Sequence, residues 1–545
     1  MANPYQPVIR AENSELTGAA LTGTHSTIIG WDLKDPDDRI GLLGFAIRRS
    51  DIDPDSGEVL RLDWLGGYKR FKETDPGIVG DVSSLQAPFQ RFRWNDYTLR
   101  PNREYLYEVF PMRGTPTNLI RGDKALSFHV TPSPEDLDDL GIYVNRGVTA
   151  AMAYLSRFRD LHPSDVGEQA YQWLSRGLKE SLLGFIAQAQ PGEALHVAIY
   201  EFFDHQVAQA FKDAIDRGVD VHIVHDAKPG KKSTAESEQV IQQFGLQDHR
   251  TKRDTVNISH NKVVIRLIGG IPNQVWTGSA NFSENAFYFQ TNTALIVRDG
   301  ETVQYYEDYF QALKANPSKA DSKKANRAIM DRANAQLNGF AEKSFFSPIR
   351  QKEILETSIE LIGKAESAVL ISAPFGVDKD MVAAFQNNSR DIVEYGLVNT
   401  TARKKIEPFM KRCTRFFIPT RLETYMGRSW DAKAFGAHKI HAKTLVIDPW
   451  GANPQVLIGS ANFSTASCRD NDENALLISG NKRLAAVIAT EFMRMYDHYK
   501  SRYYIDLLPT GEIYLESDEK WSRTAFNPNS NSHKFRDRVV FSGQK

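Results

Sequence analysis

The chain has 545 residues, room for three to four units at roughly 150 residues each, and its 41% hydrophobic and 25% charged composition is that of a globular protein. A net charge of −1 excludes a general bias toward polyanions, and two cysteines, Cys413 and Cys468, exclude a disulfide framework beyond one bridge. No window approaches 18 apolar residues, so no transmembrane segment is expected.

Residues 1–18, MANPYQPVIRAENSELTG, have neither a basic n-region nor an apolar h-region. A reduced, cytoplasmic chain is the simpler expectation, with signal-free export left open. Residues 1–133 read as an all-β sandwich. Thr27–Trp31 and Leu42–Ile47 are short apolar runs divided by Asp, Pro and Gly clusters. Leu99, Pro101 and Tyr105 form an L-x-P-x-x-x-Y pattern followed by alternation. This resembles the tyrosine-corner strand of fibronectin type III domains, in which the Tyr hydroxyl bonds upstream backbone. After a linker at Pro132–Asp136 the pattern changes to alternating helix and strand. Phe203, Val207, Ala210, Phe211, Ala214 and Ile215 share one helical face, Gly218 suits a left-handed stop, and Val219–Val224 reads as a buried strand. Helices over Leu178–Ala189 and Lys352–Ala365 introduce strands at Leu195–Tyr200 and Ala368–Ser372. These units predict two α/β halves, 134–320 and 321–510, over mixed or parallel sheets. Ala315–Lys343 between them reads as helical and basic, and 511–545 as a polar tail with some strand character.

Two stretches are near-copies. His260-Asn261-Lys262 is followed by Gly278-Ser279-Ala280-Asn281-Phe282-Ser283, and His441-Ala442-Lys443 by Gly459-Ser460-Ala461-Asn462-Phe463-Ser464. His, Ser and Asn keep the same offsets in both, and a polar residue, Asn292 or Glu473, precedes an apolar run at a matched position. In each copy the His-x-Lys begins an apolar strand, placing His and Lys on one face, and the Gly-Ser ends the next strand. Three strand ends can therefore aim at one point. A phosphodiester is anionic and resists attack. Two Lys and two Asn can hold its oxygens, one neutral His can attack phosphorus, and a second, protonated His can release the leaving oxygen. No metal or cofactor is required by that set, and no zinc spacing or nucleotide-binding loop is evident.

The doubled HxK with GSxN resembles the phospholipase D superfamily over about residues 170–500. The resemblance implies two α/β halves facing across a pseudo-twofold, both motifs in one site, and cleavage or exchange of phosphodiesters in phospholipid, DNA or RNA. It implies catalytic roles for His260, His441, Lys262 and Lys443, with Asn281 and Asn462 on phosphate and Ser279 and Ser460 in support. Glu473 is expected to orient His441, and Asn292 to orient His260. Because a carboxylate raises a His pKa more than an amide does, His260 is expected as nucleophile and His441 as acid/base. Such asymmetry is similar to that of tyrosyl-DNA phosphodiesterases. The family pattern HxKxxxxD is kept by Asp448, expected as a structural support, whereas Leu267 stands in the first copy. Tyr288, Phe287 and Phe289 are candidates for a substrate groove or for core.

The expected function is a phosphodiesterase acting through a phosphohistidine, most of all on nucleic acid. Between Arg403 and Lys443, 11 Lys or Arg stand against Glu407, Glu423 and Asp431, a basic approach to the second motif. The alternatives are a phospholipase D acting on lipid head groups and a binding scaffold without activity. The N-terminal sandwich is expected to dock a protein partner whose identity the sequence does not give.

Overall fold

The computed structural model describes residues 5–545 except 76, 78–79, 139, 148–150, 160, 335–341, 389–390, 400–413, 418–438, 507–513 and 531. Most of the basic run and Cys413 lie outside the described residues.

The N-terminal region is a two-sheet sandwich. Val8–Glu12, Leu16–Thr22, Thr27–Leu33 and Arg93–Asp96 form one sheet; Asn118–Arg121, Glu104–Thr115, Leu42–Ile52 and Val59–Trp64 form the other, with Leu126–Val130 also on Glu104–Thr115. Inward residues of both sheets, among them Trp31, Phe45, Tyr107 and Phe128, make one buried cluster. The Arg100 N–H donates to the Tyr105 hydroxyl at 2.9 Å, so the tyrosine corner forms. Tyr105→Phe should cost about 1 kcal/mol, read from the sandwich's unfolding midpoint, because it removes one acceptor from a backbone amide.

Among the described residues after 513, Tyr514 makes one parallel bridge to Arg70, and two helical segments follow. Asp518 caps a helical segment at Glu519–Ala525, and Lys534–Phe541 is an α-helix. Both close the sandwich. Trp521 packs in its core and donates to the Leu42 carbonyl, and Arg538 makes a buried ion pair with Asp32. Apolar residues spaced along a polar segment (Trp521, Ala525, Val540, Phe541) were too sparse to show this packing beforehand.

The duplication is visible strand by strand. The first sheet runs Asp136–Leu137, Leu140–Val144, Thr293–Val297, Ile271–Gly278, Lys262–Ile268, Ala194–Ile199, Asp220–Asp226, Arg250–Arg253. The second runs Lys343–Ser347, Glu473–Ser479, Gln455–Gly459, Lys443–Ile447, Ala368–Ser372, Val393–Leu397, Thr414–Phe417. Both are mixed: in each, the strand carrying the motif Lys pairs antiparallel on both sides, and the outer crossover strands are parallel.

Helices cover the sheets because their apolar stripes have nowhere else to go. His205–Asp216 buries Val207, Ala208, Phe211 and Ala214; the Asp204 carboxylate caps its N-terminus, and Gly218 takes φ +92° just after it. Lys319–Ala333 is the joining helix expected between the halves. Glu491, on the long helix Lys482–Asp506, holds Arg176 of the first half and Arg494 in one buried cluster. Among the described residues, no helix is long and apolar enough to cross a membrane.

Candidate active site

The two halves meet edge to edge at their motifs through two short parallel bridges, Ser259 with Asp472 and Thr291 with Ile440. The His260 N–H donates to the Asp472 carbonyl at 2.8 Å, and the His441 N–H donates to the Thr291 carbonyl at 3.0 Å. Beneath them Arg253 forks onto Asp472 at 2.8 and 3.1 Å, with both side chains fully buried. The side chain of Asn474 donates to Asn261 at 2.8 Å and accepts from Thr277 at 3.0 Å, tying the halves a second time.

This seam brings the two histidines together, with ring centroids 6.4 Å apart. It also overturns the expected orienting pairs. Glu473 binds His260, not His441: its carboxylate lies 2.9 Å from His260 Nδ1. Asn292 binds His441, not His260: its Oδ1 lies 2.8 Å from His441 Nδ1. The physical reason is the seam itself. The residue preceding each orienting group is bridged to backbone beside the other half's His, so each orienting side chain falls across the pseudo-twofold. A matched offset within one copy cannot show that exchange.

The hydrogen-bond partners fix the tautomers. Asn292 Nδ2 donates to the Ala286 carbonyl at 2.9 Å, so its Oδ1 faces His441 and also accepts from Ser279 at 2.8 Å. His441 Nδ1 must then carry a proton, leaving Nε2 for chemistry. Glu473 accepts from Ser467 and, at 3.1 Å, from Asn471, so its second oxygen is held on His260 Nδ1. Ser279 and Ser460 accept from the backbone N–H groups of Thr293 and Asn474, both at 3.0 Å, and so brace the turns that carry the motif Asn residues.

Lys262 and Lys443 are buried beside the rings, each donating to the carbonyl of its own motif His, at 2.6 and 2.7 Å. Burial and the two lysines push both histidines well below their ordinary value. Burial pulls Lys262 down to about 7 against the pull of Glu473 and Glu201, and burial with the neighbouring Lys262 holds Lys443 well below its ordinary value. Burial raises Glu473 to about 7. An anion bound between the lysines favours their charged forms.

Three neighbours were not picked out by sequence reasoning. Glu201 accepts from Asn281 Nδ2 at 2.6 Å and is raised by burial. Tyr200 lies 5.2 Å from His260, and Phe375 lies 6.2 Å from His441, ring to ring. Each follows a strand adjacent to a motif strand, a register signal that shows only once the strands are paired. Asn281 Oδ1 and Asn462 Oδ1 are buried without a hydrogen-bond partner.

Asp448 is not brought into the site. It sits past the far end of Lys443–Ile447, where it accepts from the N–H groups of Glu366, Ser367 and Ala368 at 2.7–2.9 Å. In the first half Leu267 is buried in the core, and neighbouring Arg266 grips Glu193 at 2.7 and 3.0 Å, fastening the equivalent loop. Phe287, Tyr288 and Phe289 are buried in a single π-helical turn and pack as core. Cys468 is buried and its thiol is pushed up to about 12 by burial, which leaves it inert.

A pH profile tests this electrostatic arrangement. Lys262 loses its proton as pH rises through about 7, while Glu473 gains its charge over the same range. For a reaction needing both charged, kcat/KM should follow a narrow bell near neutrality. Glu201→Gln removes a carboxylate that favours the Lys262 ammonium, so the alkaline limb should move to lower pH.

The family model described as "Cardiolipin synthase, PLD-like domain" matches residues 182–314 and 358–496. Three solved structures are similar. Polyphosphate kinase from Porphyromonas gingivalis is 13% identical, over 56% of this chain and only 43% of its own, with TM-score 0.38. Nuc from Salmonella typhimurium, described as a phospholipase D family member, is 22% identical over 25% of this chain and 87% of its own, with TM-score 0.22. Phosphatidylserine synthase from Haemophilus influenzae Rd KW20 is 12% identical over 59% of this chain and 85% of its own, with TM-score 0.42. No curated protein sequence matches the chain. With two matches to one phosphodiesterase family, each spanning one HxK/GSxN copy on one of two equivalent sheets, the chain belongs to the phospholipase D superfamily.

Proposed function

We propose that the protein is a metal-independent phosphodiesterase that cleaves nucleic acid through a covalent phosphohistidine on His260. The observation that carries this reading is the pair of rings 6.4 Å apart, each held at Nδ1 by a group from the other half. His260 remains the nucleophile, but on a different ground from the one the sequence offered. As His260 Nε2 bonds to phosphorus its ring becomes cationic, and the Glu473 carboxylate on Nδ1 stabilises that charge. The neutral Asn292 amide fixes His441 without weakening it as an acid. A bound phosphodiester offsets the field of Lys262 and Lys443 and favours protonated His441. His441 then gives its Nε2 proton to the leaving oxygen as the P–O bond breaks. In the second half it takes a proton from water, the water oxygen bonds to phosphorus, and His260 leaves with the P–N electron pair. Lys262 and Lys443 serve the non-bridging oxygens. Asn281 and Asn462 join them through amide N–H groups; Asn281 gives one N–H to Glu201 and keeps its second for phosphate.

Nucleic acid is favoured over lipid because two aromatic rings, Tyr200 and Phe375, stand beside the motif ammonium groups. The N-terminal sandwich, fibronectin type III-like in its tyrosine corner, is assigned a docking role. Its edge strand Val59–Trp64 exposes Val59, Leu60 and Leu62.

The test offers labelled single- and double-stranded DNA, RNA and phospholipid vesicles in excess EDTA, beside His260→Ala and His441→Ala. Nucleic-acid cleavage lost in both variants supports the reading. Head-group release from vesicles instead moves the activity to lipid, and silence on all substrates leaves the scaffold alternative.

A further inference from the structure

We propose that Tyr200 and Phe375 are base-stacking residues that hold a single-stranded nucleic-acid chain across the two histidines, one base on either side of the scissile phosphate; this rests on the nuclease reading above. Tyr200 directly follows Ala194–Ile199, and its N–H donates to the Asn261 carbonyl at 3.1 Å, inside the first motif. Its ring faces the site with Lys262 Nζ 5.2 Å and Lys231 Nζ 6.0 Å from the ring centre. Phe375 stands in the second half, with Lys443 Nζ 5.7 Å from its centre. The rings therefore flank the histidine pair, each beside one His and one Lys.

The register shows that this is not leftover symmetry. Ile199 lies opposite Lys262, and Ser372 lies opposite Thr444, which sets Ala373 beside Lys443. Phe375, two residues on, thus occupies the position that Glu201 holds in the first half. An acid on one side and an aromatic ring on the other make two unlike subsites around one phosphate. Phe375 adjoins His441, the proposed acid, so it faces the leaving group; Tyr200 adjoins the nucleophile.

Phe375 is 41% exposed. Other exposed apolar side chains lie away from the motifs, such as Val59, Leu60 and Leu62 on the sandwich edge, and Ile268 and Ile271 at a hairpin turn. Lys231 and Lys262 stand beside Tyr200, and Lys443 beside Phe375. Cations that track a phosphate backbone, interleaved with rings that take bases, are the elements of single-strand binding.

The test compares a fluorescently labelled 12-nucleotide single strand with a chain of equal length in which every base is removed. Phosphates are the same in both, and only the rings differ. The wild-type kcat/KM should favour the natural strand by roughly tenfold or more, since one stacked base is worth about 1–3 kcal/mol. Phe375→Ala and Tyr200→Ala should each shrink that ratio severalfold, while Phe375→Tyr, which keeps a ring, should restore most of it. Anisotropy titration of the same two chains on His260→Ala should show the same ranking in binding. Equal wild-type cleavage of both chains, or variants that lose equally on both, overturns the stacking role while leaving the nuclease reading intact. Failure to cleave either chain, with head-group release from vesicles, overturns the nuclease reading and this inference with it.

Discussion

On a nitrophenyl phosphodiester, His441→Ala should release one equivalent of nitrophenolate per active site and then stall, whereas His260→Ala should release none. The two steps make different demands. Nitrophenolate leaves without a proton, so attack by His260 proceeds without the acid. The phosphohistidine then waits, because no base remains to activate water. Intact-mass analysis of stalled His441→Ala should show one added phosphoryl adduct, and peptide mapping should place it on His260. On an oligonucleotide, whose leaving oxygen needs a proton, both variants should lose on the order of 10^4-fold or more in kcat. A phosphoryl group mapped to His441 in the wild-type enzyme would reverse the assignment. Glu473→Gln is the finer probe. It keeps a hydrogen-bond acceptor on His260 Nδ1 but removes the charge, so it should slow formation of the adduct more than its hydrolysis.

Asp472→Ala should cost about 3–5 kcal/mol and abolish activity, although its side chain contacts no substrate-facing group. The carboxylate neutralises a fully buried guanidinium that also donates to the Pro317 carbonyl and Ser322. Removing it leaves Arg253 charged and unpaired in the seam. The same residue's carbonyl receives the His260 N–H, so loosening it displaces the ring and the hydrogen bond to Glu473. Chemical unfolding with activity measured in parallel checks this: a stable, active Asp472→Ala protein would mean that the seam does not position His260. Asp472→Ala with Arg253→Met should recover part of the stability, because the stranded charge is gone.

The motifs were legible because their chemistry repeats at fixed spacing, and strand-forming runs flank them. The sequence therefore pointed to the histidines and lysines that the structure brings together, to the three strand ends at each motif and to the doubled α/β architecture. What it could not show was how one copy lies against the other. The exchange of Glu473 and Asn292 depends on bridges between Ser259 and Asp472 and between Thr291 and Ile440, contacts made across about 150–210 residues of chain. Glu201 and Phe375 escaped for the same reason: each is an ordinary residue after a strand until the register of that strand on the motif strand is known. The C-terminal segment failed differently. Its burial is supplied by a few large side chains, Trp521 and Phe541 among them, set in a polar background that carries no clear periodicity.

The crossed pairing has a consequence for how such a site can be inherited. Two identical subunits related by a true twofold would give both histidines the same partner, two carboxylates or two amides. Any substitution would then alter both at once. Once both halves lie in one chain, position 473 and position 292 can drift apart. One ring can be tuned to accept a bond to phosphorus and the other to surrender a proton, without either change penalising its counterpart. A symmetric dimer can divide the labour only as an unsymmetrical substrate binds, whereas a single chain can build the difference into the two partners beforehand.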